Sequence, residues 1–431
     1  MSKDLRLPFY WPHVKDDTRG TSPGECLRCK GLKLLCGKAE CPLLTQYRVR
    51  AGVNKMLSKD ICDASPPGIF VGWKGYPKVQ MGPMVSIGDL HGYDPHLLDD
   101  PGRWYGSGIE DIITYRSSLI RSKQRLEVNS ARDPGYKLKE FQELVLSIKP
   151  VDVEMLFSKI PKFHILFSPM SEPMPPSAPL EKFSLEGTPS IPVSVDKIHS
   201  DTDLNAKDAL YELHTKGYDE YYLTKILSAG TLGIGKKRRL VPTRWSITAV
   251  DDILGKKLIE EIRDLPSVDE YLVFENRYLG NRFEILFIPG EFEFENIECW
   301  LPGSVWSTGE VNIIEEYESR KGRRGYAVRQ GGGYYAARLP ILEKMFGARR
   351  KAKVVCMREI GEEYYLPVGV WEVRENVKRA LSKEPERFSS LEESLSYIKG
   401  KLRVDIGRYT KVSRIIEREK TQRTLLRWLE G

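Results

Sequence analysis

The sequence lacks any apolar run long enough to form a membrane helix, and its first residues, MSKDLRLPFYWPH, lack the apolar core of a secretory signal. Only six histidines occur in 431 residues. The glycine-rich fingerprints of dinucleotide-binding folds and P-loops are missing as well, because LGIGKK and RQGGGYY do not have the full glycine spacing. We therefore expect a cytoplasmic protein with no membrane partner and neither of these two nucleotide folds.

The composition is that of a folded protein. Apolar residues make up 41% of the chain and charged residues 29%, which argues against extensive disorder. The length is sufficient for two or three domains. The net charge of +7 permits nucleic-acid binding, but an ordinary basic cytosolic protein would carry a similar charge.

The pattern of apolar residues predicts an α+β fold of mixed or antiparallel sheets with helices. A small N-terminal zinc knuckle is added to it by the cysteine spacing described below. Helical spacing and polar caps indicate a helix within residues 201–217, DTDLNAKDALYELHTKG. EYLVFENRYL and NRFEILFIPG predict two strands joined by a hairpin turn at Gly280-Asn281. KAKVVCMREI and EEYYLPVGVWEV favour further strands, and a charged last helix is expected at about 407–420.

Four of the seven cysteines crowd into the segment GECLRCKGLKLLCGKAECPLL, at Cys26, Cys29, Cys36 and Cys41. The first two have C-x-x-C spacing, which lets two thiolates reach one tetrahedral ion from a tight turn. The second two have four residues between them, so the group suits a closed, structural zinc site. An iron–sulfur cluster is the competing cofactor, because four thiolates serve it equally well. Buried thiols and a redox-active C-x-x-C pair are the remaining interpretations.

The chain ends TQRTLLRWLEG, in which Gln422, Leu425, Trp428 and Leu429 have the spacing Q-x-x-aliphatic-x-x-aromatic-hydrophobic. Peptides that bind the ring-shaped DNA sliding clamp (PCNA) have this pattern. A one-turn helix places the apolar side chains in one pocket, and such anchors contribute most of the binding energy. Leu429 stands where a second aromatic residue is usual. The preceding charged segment, RIIEREK, is expected to keep the peptide off the protein core. The alternative is a final helix that packs its apolar face on the domain.

A basic segment, GIGKKRRLVPTRWSITAVDD, stands out in the middle of the chain. Arginines bind phosphates through two parallel hydrogen bonds, and an indole stacks on a base. The segment therefore predicts a phosphate site for nucleic acid or a nucleotide. A solvated basic loop before a helix that begins near Ser246 or Thr248 explains the same residues. The candidate residues are Lys236, Lys237, Arg238, Arg239, Arg244 and Trp245.

One segment, SIGDLHG, has the appearance of a metallophosphoesterase motif, in which Asp89 and His91 would hold a metal ion. That chemistry needs an Asn-His pair and later histidines, and no GNH or GHxH sequence follows. We interpret both residues as part of a turn. The acidic pairs at 99–100 and 251–252 give no catalytic assignment either, because such pairs are usually solvated or cap a helix.

The cysteine cluster, the terminal peptide and the stretch RRLVPTRWSITAVDD (238–252) together resemble the Nre family of archaeal DNA-repair proteins. The resemblance covers nearly the whole chain. It implies DNA-damage repair, a zinc-finger-like N-terminus and binding to the archaeal clamp, and it implies no established reaction. We accordingly divide the chain into an N-terminal arm with a C4 zinc module (1–55), a main α+β domain (56–300), a smaller C-terminal α+β domain (301–420) and a clamp-binding tail (421–431).

Three functions remain open at this point. The first is a repair factor that binds DNA or a nucleotide and is recruited by the clamp. The second is a repair enzyme, either a metal-dependent phosphodiesterase or nuclease or a nucleotide-processing enzyme, with its active site near Arg244 and Trp245. The third is an RNA-associated zinc protein. Whether the protein is an enzyme is not decided by its sequence.

Overall fold

The computed structural model describes residues 29, 33, 41, 44, 48, 51–87, 92–163, 173–304 and 310–421, and the backbone of 422–429. The described residues fall into two compact units, one ending at Leu254 and the other beginning at Gly255. Each unit contains one six-stranded mixed sheet with helices. The predicted α+β class is therefore confirmed.

The sheet of the first unit has the order β1-β5-β6-β4-β3-β2. Its neighbours are antiparallel, except that β4 and β6 run parallel. One face is buried, since Val153 and Met155 of β5 are fully buried while Asp152 and Glu154 between them are exposed. The strands are β1 (Asp60–Ser65), β2 (Ile69–Val71), β3 (Lys78–Ser86), β4 (Leu119–Glu127), β5 (Val151–Phe157) and β6 (Ser177–Leu185).

Helices pack on the buried face of this sheet. Leu144 and Phe141 of α2 are completely buried, and the ring of Phe141 lies 5.0 Å from that of Phe183 on β6. The side chain of Asn205 caps α4 by accepting two backbone N–H groups, which confirms the helix predicted within 201–217. The helices are α1 (Ile109–Ser117), α2 (Tyr136–Leu146), α3 (Val193–Ser200), α4 (Ala206–Thr215), α5 (Glu220–Ser228) and α6 (Thr243–Ile262).

The sheet of the second unit has the order β10-β9-β11-β8-β7-β12, with β11 and β9 parallel and the other neighbours antiparallel. Its central strands are buried along almost their whole length. The strands are β7 (Tyr271–Tyr278), β8 (Asn281–Ile288), β9 (Glu293–Trp300), β10 (Asn312–Glu318), β11 (Lys353–Ile360) and β12 (Glu386–Phe388). The helices are α7 (Gly332–Ala348), α8 (Trp371–Leu381), α9 (Leu391–Lys399), α10 (Ile406–Val412) and α11 (Arg414–Leu429).

A buried charged network lies between this sheet and α8. The guanidinium of Arg358 donates to a carboxylate oxygen of Glu298 and to one of Glu372, each at 2.9 Å, and to the amide oxygen of Asn281 at 3.0 Å. Arg358 is 5% exposed and Glu372 is fully buried. Because a buried charge without a partner is costly, the three charged groups stabilise the fold only as a set.

The hairpin between β7 and β8 is confirmed, but its turn lies one residue earlier than predicted. Tyr278 and Asn281 are paired, so the two turn residues are Leu279 and Gly280 and both have positive φ, 46° and 72°. A two-residue turn with two positive φ angles matches the twist of the flanking strands. Asn281 begins β8 instead, and its side chain donates to the carbonyl of Leu279 at 3.0 Å.

The prediction of strands in EEYYLPVGVWEV, residues 362–373, is wrong. The segment forms turns and then enters α8 at Trp371. Its aromatic and branched residues are buried by packing on neighbouring elements, as the buried side chains of Tyr364, Leu366 and Val368 show, so composition alone misleads here. The compact units divide at 254/255, within α6, and the second sheet has strands on both sides of residue 300. The division of the chain into four segments stays a prediction.

Within the part of the chain that the structure describes, no helix is both long and apolar enough to span a bilayer.

Candidate nucleic-acid interface

The basic segment singled out in the sequence forms a short 3-10 turn, Gly235–Lys237, followed by the start of α6. Helix α6 begins at Thr243, earlier than the alternative interpretation placed it. Four of its cationic side chains are exposed to solvent, which leaves them accessible to a ligand: Lys236, Lys237, Arg239 and Arg244.

Arg238 has a different role from the other cations of the segment. Its Nε donates to the carbonyl oxygen of Gly233 at 2.9 Å, and its Nη2 donates to the carbonyl oxygens of His199 and Asp201 at 2.5 and 3.3 Å. Burial lowers the pKa of Arg238, and the carboxylate of Asp201 opposes that shift. Since its donors are used to hold the loop, Arg238 stabilises the segment and is not a free phosphate ligand.

Trp245 contacts an aromatic residue that the sequence analysis did not identify. Its ring lies 5.1 Å from the ring of Tyr76, with an interplanar angle of 54°. Tyr76 belongs to the turn 72–77 between β2 and β3, and 45% of its surface is exposed. The backbone N–H of Val71, on the edge strand β2, donates to the hydroxyl of Thr243 at 2.9 Å and so fixes the start of α6 beside this turn.

The turn 72–77 carries further residues suited to nucleic acid. Trp73 is 46% exposed, and Lys74 next to it is exposed. The N–H of Tyr76 donates to the carbonyl of Trp73 at 3.3 Å, so the two aromatic residues belong to one tight turn. We call the group formed by Trp73, Lys74, Tyr76, Arg244 and Trp245 the aromatic–basic surface. Trp245 is half-buried, whereas Trp73 and Tyr76 are exposed. Large aromatic side chains are normally buried, so the exposure of these two indicates a binding surface.

A sequence signal for this turn was present in GWKGYP. Two aromatic residues and a lysine stand between glycines and a proline, a composition that excludes a helix and places these side chains on an exposed turn. The signal does not show that Trp245 lies beside Tyr76, because that contact joins distant parts of the chain.

The predicted zinc ligands lie only partly within the described residues. Cys29 is buried and Cys41 is half-buried, whereas Cys26 and Cys36 lie outside the described residues. Four thiolates at these spacings are a donor set that fits tetrahedral zinc. Because two of the four cysteines lie outside the described residues, the four-cysteine site stays a prediction. Among the residues that are described, no group of three or more His, Cys, Asp or Glu side chains is placed to hold a metal ion.

The predicted clamp peptide continues the last helix, since α11 runs from Arg414 to Leu429. Gln422, Leu425, Trp428 and Leu429 are therefore helical, but their side chains lie outside the described residues. The helix is anchored at its start, where two isoleucines at 415 and 416 are fully buried in the core of the second unit. The burial of these two isoleucines anchors the charged segment RIIEREK to the core, because their apolar side chains outweigh the charges around them. The expectation that this segment keeps the peptide off the core stays a prediction, since the side chains of the peptide lie outside the described residues.

The residues of the possible metallophosphoesterase motif, Asp89 and His91, lie outside the described residues. In the first acidic pair, a carboxylate oxygen of Asp99 lies 3.0 Å from Nζ of Lys225. Burial raises the pKa of Asp100, and the nearby Lys225 counteracts this. The Asp99 carboxylate therefore forms an ion pair within the protein. This contact gives no reason to assign Asp99 as a metal ligand.

Family models match almost the whole chain. The archaeal Nre N-terminal model matches residues 35–307, and the archaeal Nre C-terminal model matches residues 318–428. The chain belongs to the archaeal Nre family. The resemblance inferred from the sequence is thereby confirmed at the level of the family.

Relatives of this Nre chain are named as DNA repair proteins. It is 43% identical to the DNA repair protein NreA of Archaeoglobus fulgidus over 371 residues, which are 86% of this chain and 92% of that protein. It is 36% identical to the DNA repair protein NreB of the same organism over 402 residues, 93% of this chain and 99% of that protein. NreA of Haloferax volcanii is 36% identical over 327 residues, 74% of this chain and 77% of that protein. No solved structure matches the chain.

Proposed function

We propose that this Nre protein is a DNA-repair factor that binds DNA through its aromatic–basic surface. The names of its relatives support the repair role, because the identities extend over most of both chains. The contact between Tyr76 and Trp245 carries the proposal for DNA binding. Two aromatic rings, one on a turn and one on a helix, are held together at the surface beside exposed cations.

Physical chemistry favours a single-stranded or distorted nucleic acid as the ligand. Bases stack on exposed aromatic rings when they are not stacked on each other in a duplex, and each such contact contributes about 1–3 kcal/mol. Lys74 and Arg244 are exposed and adjoin these aromatic residues in the chain, so they are cations that the phosphates can reach. Because phosphate binding releases counterions, the affinity should fall steeply as the salt concentration rises.

We further propose that the tail recruits the protein to the sliding clamp. The spacing of Gln422, Leu425, Trp428 and Leu429 supports this part of the proposal. A helical backbone over these positions is compatible with the one-turn helix that such peptides use. The four cysteines would hold a structural zinc ion near the other end of the chain, with each thiolate acting as one ligand.

The proposal is tested by titrating a fluorescent single-stranded oligonucleotide with the full chain and measuring anisotropy. Trp245→Ala and Tyr76→Ala should each weaken binding by about five- to 150-fold, the range that corresponds to the loss of one stacking contact. Tyr136→Ala is the matched control, because Tyr136 is 79% exposed on α2 of the same unit. It should leave the affinity unchanged.

The same titration distinguishes the alternatives. Equal affinity of the two variants and the unaltered protein for DNA would contradict the proposed surface. A strong preference for an RNA of the same sequence would favour the RNA-associated function instead, since the 2′-hydroxyl distinguishes the two ligands.

A further inference from the structure

The face of the first sheet opposite its core carries a row of cations on β4. Residues alternate along this strand, so that Ile120 and Ser122 point into the buried side while Arg121, Lys123 and Arg125 point away from it. Exposure increases along the row: Arg121 and Lys123 are half-buried and Arg125 is exposed. A half-buried cation at the inner end of such a row needs an explanation, because desolvation of a charge is unfavourable.

Arg121 has no carboxylate partner among the residues that the structure describes. Its guanidinium lies over the ring of Phe70 on β2, with 4.3 Å between the guanidinium carbon and the ring centroid. Its Nε is buried and makes no hydrogen bond within the described part of the chain. Buried arginines are normally compensated by an acid, so this side chain retains unused donors and an uncompensated charge.

A second unused polar group lies beside Arg121. Ser177 is its paired residue on the parallel strand β6, so both side chains lie on the same face. Ser177 is only 6% exposed, and its hydroxyl makes no hydrogen bond among the described residues. On the far side of Ser177, an isolated antiparallel bridge places Lys162 in the same line across the sheet, with its side chain exposed.

Arg121 is positively charged at neutral pH. Burial lowers the pKa of Arg121 to about 10, which still leaves the guanidinium protonated. Burial also lowers the pKa of Lys123, and the charge of Arg121 lowers it further, so the two cations lie close enough to repel each other. An anion bound to Arg121 would offset its loss of hydration and screen this repulsion.

We propose that Arg121, Lys123, Lys162 and Ser177 form a binding site for a phosphate monoester. A monoester carries a charge of about −1.5 to −2 at neutral pH and offers three terminal oxygens, which matches several cations and a hydroxyl. The planar guanidinium can donate to two of these oxygens at once. A carboxylate has one charge and two oxygens, so it would leave donors of the site unused.

Two sources supply this chemical group: the phosphorylated end of a nucleic-acid strand, and a free mononucleotide. The depth of Arg121 favours a terminal phosphate over an internal one, because an internal phosphate diester carries a single charge and is flanked by sugars on both sides. The site itself stands independently of the aromatic–basic surface, and only the choice of a nucleic-acid end as the source rests on the proposed function.

The test uses the full chain and Arg121→Met, which removes the charge and keeps much of the side-chain volume. The matched control is Lys182→Gln, since Lys182 is an exposed lysine on the same face of β6. Thermal unfolding is recorded with inorganic phosphate, with a mononucleotide, and with an oligonucleotide bearing either a 5′-phosphate or a 5′-hydroxyl. Affinities for the last two are measured by anisotropy.

We expect phosphate-bearing ligands to raise the unfolding midpoint of the unaltered protein and of Lys182→Gln, but not that of Arg121→Met. Without ligand, Arg121→Met should unfold at a higher temperature than the unaltered protein, because a desolvated and uncompensated cation is removed. A purely structural arginine would give the opposite result. A 5′-phosphate that improves affinity by about tenfold or more identifies a nucleic-acid end as the ligand.

If phosphate or the mononucleotide raises the unfolding midpoint while the 5′-phosphate does not improve the affinity for the oligonucleotide, the proposed site is supported and its ligand is a free nucleotide. Absence of any response, or an equal response in Arg121→Met, overturns the proposal. These results are distinct from a failure of the proposed function, which would appear as unchanged binding of the 5′-hydroxyl oligonucleotide by Trp245→Ala.

Discussion

Glu284 provides a quantitative test of the second unit, because it is a carboxyl buried on a central strand. It lies on β8, and its surface is fully buried. Neither of its oxygens has a hydrogen-bond partner among the described residues. Burial, followed by repulsion from Glu275 on the neighbouring strand, raises the pKa of Glu284 from 4.5 to about 8, and Lys401 only partly offsets this.

The direction of the pH dependence follows from this raised pKa. Between pH 4.5 and about 8, the folded chain keeps the proton of Glu284 while the unfolded chain has lost it. Folding therefore takes up a proton, and the free energy of unfolding decreases as the pH rises through this window. At about 1.4 kcal/mol per pH unit, the loss attributable to Glu284 reaches about 5 kcal/mol above pH 8.

Glu284→Gln removes this titration while keeping the shape of the side chain. Denaturant unfolding of both proteins should give similar free energies near pH 5, and the variant should be increasingly more stable up to about pH 8.5. The difference between the two proteins is the quantity to follow, because other titrating groups contribute equally to both. A difference that stays constant from pH 5 to 9 would show that the pKa of Glu284 is not raised in the folded protein.

Three further predictions concern other parts of the molecule. Arg358→Met should lower the free energy of unfolding by about 3–5 kcal/mol, since Glu298 and Glu372 would remain buried without their cation; denaturant unfolding measures this, and a loss below 1 kcal/mol would contradict it. Metal analysis should find about one zinc per chain and clearly less in Cys29→Ser, whereas iron would indicate a cluster instead. Calorimetry should detect clamp binding by the full chain that Trp428→Ala abolishes; equal binding by both would exclude the tail as the anchor.

Local patterns predicted the elements whose structure depends on nearby residues. The helix α4 follows an asparagine cap and apolar residues at helical spacing, and both signals lie within 201–217. The hairpin of β7 and β8 has a glycine where positive φ is needed. Its position was misjudged by one residue because Gly280 can occupy either turn position, and only the pairing of the strands decides between them.

Long-range packing decided the parts that the sequence did not predict. Residues 362–373 have the composition of a strand, but neighbouring elements bury them as turns and the start of a helix. Among the predicted phosphate ligands, Arg238 instead holds loop carbonyls that lie up to 39 residues away. Tyr76 entered the candidate site only because β2 and the start of α6 are hydrogen-bonded, a contact with no local signature.

DNA binding by the aromatic–basic surface is tested most directly by ultraviolet cross-linking of the full chain to a thymine-only single-stranded oligonucleotide, followed by mass spectrometry of the peptides. Aromatic side chains stacked on bases lie close enough to form such links. We expect cross-links to the turn 72–77 or to the start of α6, at Tyr76, Trp73 or Trp245. Efficient cross-linking confined to other segments, with none at these three residues, would contradict it.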